Sequence, residues 1–515
     1  MKHVRRNWTR LAALALCAGG TSWAQPCGTT CTTTIPGGPV SGTWDAAGSP
    51  YCVEGDITIG DLTIQPGVCV LVDGPFRIDV AVRLRVLGTA ALPVTITSRD
   101  PQARWHGIVF TDLGPGSELN WCTVSRSDTS GLRINSGAGP ILRDCTITDN
   151  SKTGNGGGIE ANITIGVFQL DRCRITGNTS AVHGPGLRAS MSAGSQLVMH
   201  GCTVSNNAAG GPVGGGTCVG GGLYLSGSAD LVGCMFDGNS CQTGGGGMVA
   251  YGSGLYVDGG GTAHVQACAF TGGLAHSFFA YGRGAIFIAG GSTLNIESSV
   301  VACNSVTGGA PATGGIWVES GQATITNCTI ARNTSFGLTR NGGGADVRNS
   351  ILYYNNLTSA GPPPVYGAQL SGTGITLAYC DVQGGVQPGD GNISVNPGFE
   401  GPGCCAQAYT LFDVSPCVDA GDPALLDGCR LPGRGGARSD IGAFGGPGNC
   451  PWGPVQLCYP DCDGSCSLNV LDFTCFLNKF AAQDPYANCD GSSTAPTLNV
   501  LDFFCFLNRF AAGCT

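Results

Sequence analysis

The sequence has 515 residues, of which 42% are hydrophobic and only 11% are charged, so a large buried core is possible. The formal net charge is -9 and there is no basic stripe to neutralise phosphates, so we expect no nucleic acid partner. After the first two dozen residues, no stretch is long and apolar enough to span a bilayer.

Residues 1–24 have the pattern of a secretory signal peptide. Basic residues precede an apolar run from Leu11 to Cys17, and Ser22-Trp-Ala24 supplies the small residues of a cleavage site. We therefore expect an exported protein that is secreted or held at the cell surface. Residues 25–50 form a cysteine-containing N-terminal segment ahead of the repeated strands.

Short β-branched runs, separated by turn residues, follow this segment and predict the opening coils of a solenoid. They are Ile57–Ile59, Leu62–Ile64, Val68–Leu71, Ile78–Val80, Leu84–Val86 and Val94–Ile96.

A short phrase then recurs ten times between Leu119 and Gly385, at intervals of 22 to 34 residues. Its position zero is Cys122, Cys145, Cys173, Cys202, Cys234, Cys268, Ser299, Cys328, Ser350 and Cys380. Positions minus three and plus two are apolar in every copy, and position plus five is asparagine in seven copies. Positions zero and plus two share a strand face, whereas the odd step from minus three requires a bend.

This pattern predicts one coil per copy of a right-handed parallel β-helix, an all-β solenoid whose loops vary outside the core. The plus-five residues are Asn150, Asn178, Asn207, Asn239, Asn304, Asn333 and Asn355. We expect them to adopt the left-handed backbone of a corner and to hydrogen-bond along the solenoid axis.

The 28 cysteines divide into two groups. Column cysteines on adjacent strands lie about 4.8 Å apart with parallel Cβ vectors, which does not suit a disulfide, so we expect buried thiols. The disulfide candidates lie outside this column, and their connectivity stays open. They are Cys27, Cys31, Cys52, Cys69, Cys218, Cys241, Cys404, Cys405, Cys417, Cys429, Cys450 and those of the tail.

A second column precedes each position zero by 10 to 14 residues and contains one outward-facing residue per coil. On successive coils this outward row reads Arg133, Glu160, Arg188, Tyr224, Tyr256, Phe287 and Trp317. The four aromatic residues form either a flat face that stacks sugar rings or a ladder that stiffens the sheet or lies under a long loop. The three charged residues form either a surface ion-pair ladder or, in an enzyme, weak catalytic candidates.

The phrases Gly88-Thr89, Pro93–Ser98 and Trp105–Ile108 resemble the N-terminal coils of secreted parallel β-helix proteins of the pectin-lyase-like fold. With the ten later coils, the resemblance covers roughly residues 51–395. It implies the fold, and it includes polysaccharide lyases and glycoside hydrolases among the possible activities. Neither clustered acids beside a base nor a set of paired Asp residues suited to glycoside hydrolysis stands out, so an enzyme is the alternative.

Residues 396–446 resemble the segment that closes many bacterial surface β-helices, although Gly445 stands where that family usually has Glu. Such a cap would cover the strand edge of the last coil. Asp419, Asp422, Asp427 and Asp440 are most simply turn formers, with a metal site as the weaker alternative. The Pro- and Gly-rich stretch at 447–457 is predicted to be a linker.

The tail, residues 458–515, is an internal duplicate with EF-hand spacing of oxygen donors followed by a helix. The predicted calcium ligands are Asp461, Asp463, Ser465, Ser467, Asn469 and Asp472 in the first loop, and Asn488, Asp490, Ser492, Asn499 and Asp502 in the second. The second loop needs three extra residues looped out and has one carboxylate fewer, so the first should bind Ca²⁺ more tightly. For each loop the alternative is a disulfide-held helical pair without metal.

The tail resembles a dockerin of the cysteine-containing kind that ends in Gly-Cys. The resemblance implies an α-helical, EF-hand-like module that binds Ca²⁺ and a cohesin-like or other surface docking protein. We therefore expect a monomeric, bacterial β-helix protein that binds polysaccharide, or serves as a structural or adhesive element, at the cell surface.

Overall fold

The computed structural model describes most of the chain. The described residues are 27–111, 116–135, 137–210, 217–243, 249–277, 282–307, 313–359, 364–401, 403–429, 432–452, 460, 462, 470–484, 487–489, 492 and 497–512. The signal peptide prediction lies outside them.

The repeated phrase folds as predicted into coils of parallel strands, each pairing in register with the next coil. Sheet A carries positions zero to plus three of the coils. Its strands are Thr33–Ile35, Tyr51–Val53, Cys69–Val72, Val94–Ser98, Cys122–Ser125, Thr146–Thr148, Arg174–Thr176, Thr203–Ser205, Met235–Asp237, Ala269–Thr271, Val300–Ala302, Thr329–Ala331, Ile351–Tyr353 and Asp381–Val382.

Sheet B has two arms in most coils, an early arm and a late arm that ends just before the bend into sheet A. Its opening strands and early arm are Gly38–Trp44, Ile57–Ile64, Ile78–Leu87, Ile108–Phe110, Leu132–Ile134, Ile159–Ile163, Leu187–Met191, Leu223–Ser226, Leu255–Asp258, Ile286–Ile288, Thr313–Val318, Phe336–Arg340 and Leu370–Ser371. Its late arm is Glu118–Asn120, Ile141–Arg143, Val167–Asp171, Gln196–His200, Ser228–Val232, Thr262–Gln266, Ser292–Glu297, Gly321–Thr326, Gly344–Arg348 and Ile375–Ala378.

Shorter strands complete the coils. Sheet B also includes Cys218–Val219, Ala250–Tyr251 and Gly282–Arg283, and sheet C contains Ser151–Lys152, Thr179–Ser180, Ala208–Ala209, Ser240–Thr243, Leu274–Ser277 and Ser305–Thr307. Within the described ranges, the remaining elements are an antiparallel pair, Leu357–Ser359 with Val365–Tyr366, three 3₁₀ turns, Ala46–Gly48, Ala406–Tyr409 and Cys450–Trp452, and two helices, Val470–Ala481 and Val500–Ala512.

The predicted core columns are buried, because alternation along each strand points one side chain in two toward the axis. Leu142, Cys145 and Ile147 of one coil are each 0% exposed, and equivalent residues of the other coils join them in one continuous core.

The corners differ from the prediction in one respect. The plus-five asparagines do not have positive φ. Left-handed backbone occurs at position minus one, as in Asp144 (φ 54°), and at plus four, as in Asp149 (φ 51°). The first of these turns makes the predicted bend between sheets B and A. Asparagine is therefore needed at plus five for its side chain.

Those side chains form a buried ladder, as predicted. In two runs, Asn150 to Asn239 and Asn304 to Asn355, each side-chain amide donates to the Oδ1 atom of the asparagine in the next coil, at 3.0 Å from Asn178 to Asn207 and at 3.0 Å from Asn207 to Asn239. Gly273 separates the two runs. In the last coil Gln369 replaces the asparagine of the ladder. Its Oε1 accepts a hydrogen bond from the side chain of Asn355 at 2.9 Å. The ladder thus satisfies backbone groups that the turn leaves unpaired.

The eight column cysteines are buried free thiols, as predicted. Cys145 donates its thiol to the Leu119 carbonyl of the preceding coil at 3.1 Å, and burial raises the pKa of the Cys328 thiol to about 12. Disulfides with both cysteines in the described part of the chain are Cys27–Cys69, Cys31–Cys52, Cys218–Cys241, Cys303–Cys404, Cys429–Cys450, Cys462–Cys475 and Cys489–Cys505.

Cys417 was expected among the disulfide candidates but is a buried free thiol that donates to the Asp381 carboxylate at 3.4 Å. Cys303, which was not expected to pair, joins Cys404 across 101 residues of sequence. The disulfide fastens the segment after the coils to the side of the solenoid.

The domain boundaries predicted at both ends of the solenoid also shift. Strands Thr33–Ile35 and Gly38–Trp44 already pair with the coils, so the β-helix starts within the segment predicted to precede it. At the other end, residues 396–452 pack along the outer face of sheet A, where Tyr409 and Phe444 share a buried cluster with Ala302, and do not simply cover the last coil. We call residues 396–452 the flank segment.

The flank segment includes the first part of the predicted linker. Cys450 is disulfide-bonded to Cys429, and the Trp452 indole donates to the Ser298 carbonyl at 2.6 Å. These contacts hold residues 447–452 against the coils. Within the described residues, no helix reaches the length and apolarity that crossing a bilayer requires.

Candidate functional site

The outward row lies on the early arm of sheet B in the register that the sequence predicts. Arg133 pairs with Glu160, Glu160 with Arg188, and Arg188 with Tyr224. Successive side chains of the row therefore stand one above another along the axis.

Three cations surround Glu160. Its carboxylate lies 2.5 Å from the Lys152 amine, 3.5 Å from Arg133 and 3.9 Å from Arg188. Glu160, Lys152 and Arg188 are largely buried, with side chains 13%, 17% and 22% exposed. The predicted ion-pair ladder is present, and Lys152 from sheet C adds to it. One carboxylate against three cations leaves a local charge of about +2 at neutral pH.

The aromatic part of the row stacks as a ladder. Tyr224 and Tyr256 lie 5.5 Å apart, Tyr256 and Phe287 5.3 Å, and Phe287 and Trp317 6.4 Å between ring centroids, with near-parallel planes. Neighbouring parallel strands place the rings face over face, which accounts for the offset stacking.

Most of this ladder is covered, so it is not the open, flat face that sugar stacking requires. Phe287 and Trp317 are only 2% and 1% exposed. Tyr251 stacks on Phe287 at 4.4 Å, and the Arg283 guanidinium lies 4.2 Å over Trp317. The covering residues come from short strands that precede the early arm and pair with one another. At Phe287 and Trp317, the row is therefore a covered aromatic ladder and not a face that stacks sugar rings.

The opposite end of the ladder stays accessible at Tyr224, which is half-buried. His183 stacks on Tyr224 at 5.6 Å, and the Arg188 guanidinium lies over the same ring at 5.6 Å. Burial and the charge of Arg188 lower the pKa of His183, so its imidazole is neutral at pH 7. Its buried Nδ1 has no hydrogen-bond partner among the described residues.

We call Lys152, Arg133, Arg188, His183 and Tyr224 the cationic end of the outward row. It combines three positive charges, an aromatic ring and an unsatisfied nitrogen on one face. Such a surface can hold an anionic group by charge-assisted hydrogen bonds while a ring packs beside it.

A second surface, which the sequence analysis missed, runs along the late arm of sheet B. Two cavities of about 490 and 320 Å³ adjoin each other there and share Thr324 and Thr326. We call this surface the polar groove. Its outward row is Asp230, His264, Asn295, Thr324, Asp346 and Thr376, and a parallel row is Gln266, Glu297, Thr326 and Arg348.

A sequence signal for the polar groove exists at position minus four of the phrase. That position is polar in every coil from Asp230 onward, whereas polar and apolar residues alternate there in the four earlier coils: Glu118, Ile141, Gln169 and Val198. The flank segment forms one side of the groove, since Gln266 donates to the Gly448 carbonyl at 3.2 Å and Arg348 pairs with Asp422 at 2.9 Å.

In the tail, several predicted calcium ligands lie outside the described residues: Asp461, Asp463, Ser465, Ser467, Asn469 and Asp490. Of the others, Asp472 and Asp502 are 0% exposed at the first turns of the two helices. Asn488 donates to the Ser492 carbonyl, but its buried Oδ1 has no partner among the described residues. The backbone N–H of Asn499 donates to the Asp502 carboxylate at 2.8 Å. Buried carboxylates and an unpaired amide oxygen are a donor set that fits Ca²⁺.

The acidic residues of the flank segment act as turn formers, as favoured by the sequence. Asp440 accepts from the Asp419 and Arg434 amides, and Asp427 accepts from the Gly446 amide at 2.6 Å. Burial raises the pKa of Asp427 to about 7 and that of Asp440 to about 6. Across the described residues, no group of three or more His, Cys, Asp or Glu side chains is placed to hold a metal ion.

Comparison with known proteins agrees with this architecture. The model of a family described as "Right handed beta helix region" matches residues 95–270 and 250–392, which together make up more than half of the chain. Searches of curated proteins and of solved structures returned no match.

Proposed function

Because the chain belongs to the right-handed β-helix family, we propose that it is an exported β-helix protein that binds an acidic polysaccharide at the cationic end of the outward row. Seven disulfides among the described residues are consistent with an oxidising, extracellular environment. The tail would retain the protein at a surface through a docking partner.

The observation that carries this proposal is the excess of cations around Glu160. The protein as a whole is acidic, so a local charge of about +2 on a half-buried surface is a specific feature. A carboxylate or sulfate of a glycan could replace part of the solvation of Arg188 and Lys152, while Tyr224 packs against the sugar ring.

The test is a binding titration of the purified full chain with polygalacturonate at several salt concentrations. We expect Arg188→Ala to weaken binding about tenfold or more, since a charge-assisted hydrogen bond contributes about 1.5–3 kcal/mol. Tyr224→Ala should weaken binding too, and salt should weaken binding to the wild-type chain. The matched control is Arg83→Ala, which removes a guanidinium paired with Asp61 on an early coil.

Equal binding by Arg188→Ala and Arg83→Ala would contradict the proposal. The same samples should be assayed for unsaturated or reducing sugar ends. Product that disappears in Glu160→Gln would replace the binding proposal with the alternative, a polysaccharide lyase or glycoside hydrolase.

For the tail, we propose a Ca²⁺-dependent module that docks to a cohesin-like or other surface protein. Exposed apolar residues recur at equivalent positions of the two helices: Val470 is 72% and Val500 62% exposed, and Leu501 and Phe504 add to the second helix. An exposed apolar face of this kind supports a protein partner.

Calcium binding by the tail can be tested in the full chain. Asp502→Ala should abolish one class of Ca²⁺ sites in a calorimetric titration, and Asp472→Ala the other and tighter class. Two unchanged classes of sites in both variants would refute this assignment of ligands.

A further inference from the structure

We infer that the polar groove is a second glycan-binding site, which takes an uncharged, hydroxyl-rich polysaccharide lying along the solenoid axis. The inference does not rest on the acidic-glycan proposal, because the two surfaces occupy different arms of sheet B and share no residue.

The shape of the groove suits an extended polymer. Asp230 and Thr376 lie on strands five coil steps apart, which is about 24 Å at the usual strand spacing. Each coil adds one polar side chain to the outward row, and the four middle coils add another to the parallel row. A glycan chain likewise presents hydroxyl groups at regular intervals, so donors and acceptors can be matched unit by unit.

Charge determines the class of glycan. The Asp230 and Asp346 carboxylates lie in the outward row, whereas the one guanidinium in the lining, that of Arg348, is paired with Asp422 of the flank segment. His264 contacts Asn295, with 3.3 Å between the His264 Nδ1 and the Asn295 Nδ2. An acidic polymer would be repelled by the two carboxylates, whereas hydroxyl groups can donate to them.

Glu297 is one polar group of the groove that can bind a ligand. A side chain at Gly448 would meet its half-buried carboxyl, and no hydrogen bond to that carboxyl is found among the described residues. Burial raises the pKa of Glu297, and nearby His264 partly offsets this shift. Near the raised pKa the carboxyl can donate a hydrogen bond to a sugar oxygen, and the ionised form can accept one from a hydroxyl.

The test is a binding titration of the full chain with three soluble neutral glycans, a β-glucan, a mannan and a xylan, beside polygalacturonate. We expect at least one neutral glycan to bind. Asn295→Ala and Asp346→Ala should each weaken that binding about fivefold to tenfold, as expected for one or two lost hydrogen bonds. Arg188→Ala should leave it unchanged.

A matched control for groove variants is Asn120→Ala, on the outer face of the same arm but several coils before the groove. Binding of no neutral glycan, or binding that Asn295→Ala and Asp346→Ala leave at the wild-type level, would overturn the inference. If Arg188→Ala loses polygalacturonate binding but still binds the neutral glycan, the two sites are separate. Loss of both in Arg188→Ala would also overturn the inference.

Discussion

Replacement of one rung of the asparagine ladder tests the reasoning about what holds the coils together. Asn207 is 0% exposed, and its side chain makes four hydrogen bonds. It donates to the Ile175 carbonyl at 2.8 Å and to Asn239 Oδ1 at 3.0 Å, and it accepts from the Asn178 backbone and side-chain amides, both at 3.0 Å. Asn207→Ala removes all four and leaves their partners buried.

At a net contribution of about 1 kcal/mol for each hydrogen bond, Asn207→Ala should lower the free energy of unfolding by about 4 kcal/mol. The matched control is Asn120→Ala, because Asn120 is half-buried and makes one side-chain hydrogen bond, to Glu118 at 3.2 Å. That control should cost less than about 0.5 kcal/mol, as is usual for surface positions.

Urea unfolding of the full chain, followed by circular dichroism, measures the difference between the two variants. Because each coil of a solenoid contacts mainly its neighbours, hydrogen exchange should also show faster opening around Asn178 and Asn239. Equal unfolding midpoints for Asn207→Ala and Asn120→Ala would refute the view that the ladder stabilises the coils.

Two further predictions concern buried acids and thiols. In the native protein the eight column thiols and Cys417 should not react with a disulfide reagent, and they should become titratable in denaturant; rapid reaction of the folded chain would show that the core is not closed. The flank segment should lose stability as pH rises from about 4 to 7. Its carboxyls bind protons more tightly when folded, with the pKa of Asp427 raised to about 7 and that of Asp440 to about 6. Asp427→Asn should flatten this dependence in melting curves recorded at each pH, and an unchanged slope would contradict the assignment.

The sequence predicted the coil core, the free thiols and the register of the outward row, because those features repeat with every copy of the phrase. It misplaced the left-handed residues. The strong asparagine preference at plus five comes from the side-chain ladder, whereas minus one accepts residues as different as Trp121, Ala267 and Asn349 with positive φ. Position minus one requires a positive φ, but no single residue type marks it in the sequence.

The features that the sequence did not predict depend on contacts between segments that are distant in the chain. Tyr251 and Arg283 cover the aromatic ladder, but nothing in their own local pattern indicates that they fold over it. The Cys303–Cys404 disulfide and the packing of Trp452 on Ser298 likewise join the coils to the flank segment. Period and spacing describe one coil and its neighbours, so they carry no information on these contacts.

The two proposed binding surfaces can differ in the sign of their charge because charged residues are few on this solenoid. With only 11% charged residues, the local composition of a few coils sets the potential at each surface. At physiological ionic strength charges are screened beyond about 8 Å, which is less than two strand spacings. The two proposed surfaces share no residue, so we expect a substitution in one to leave the affinity of the other unaltered.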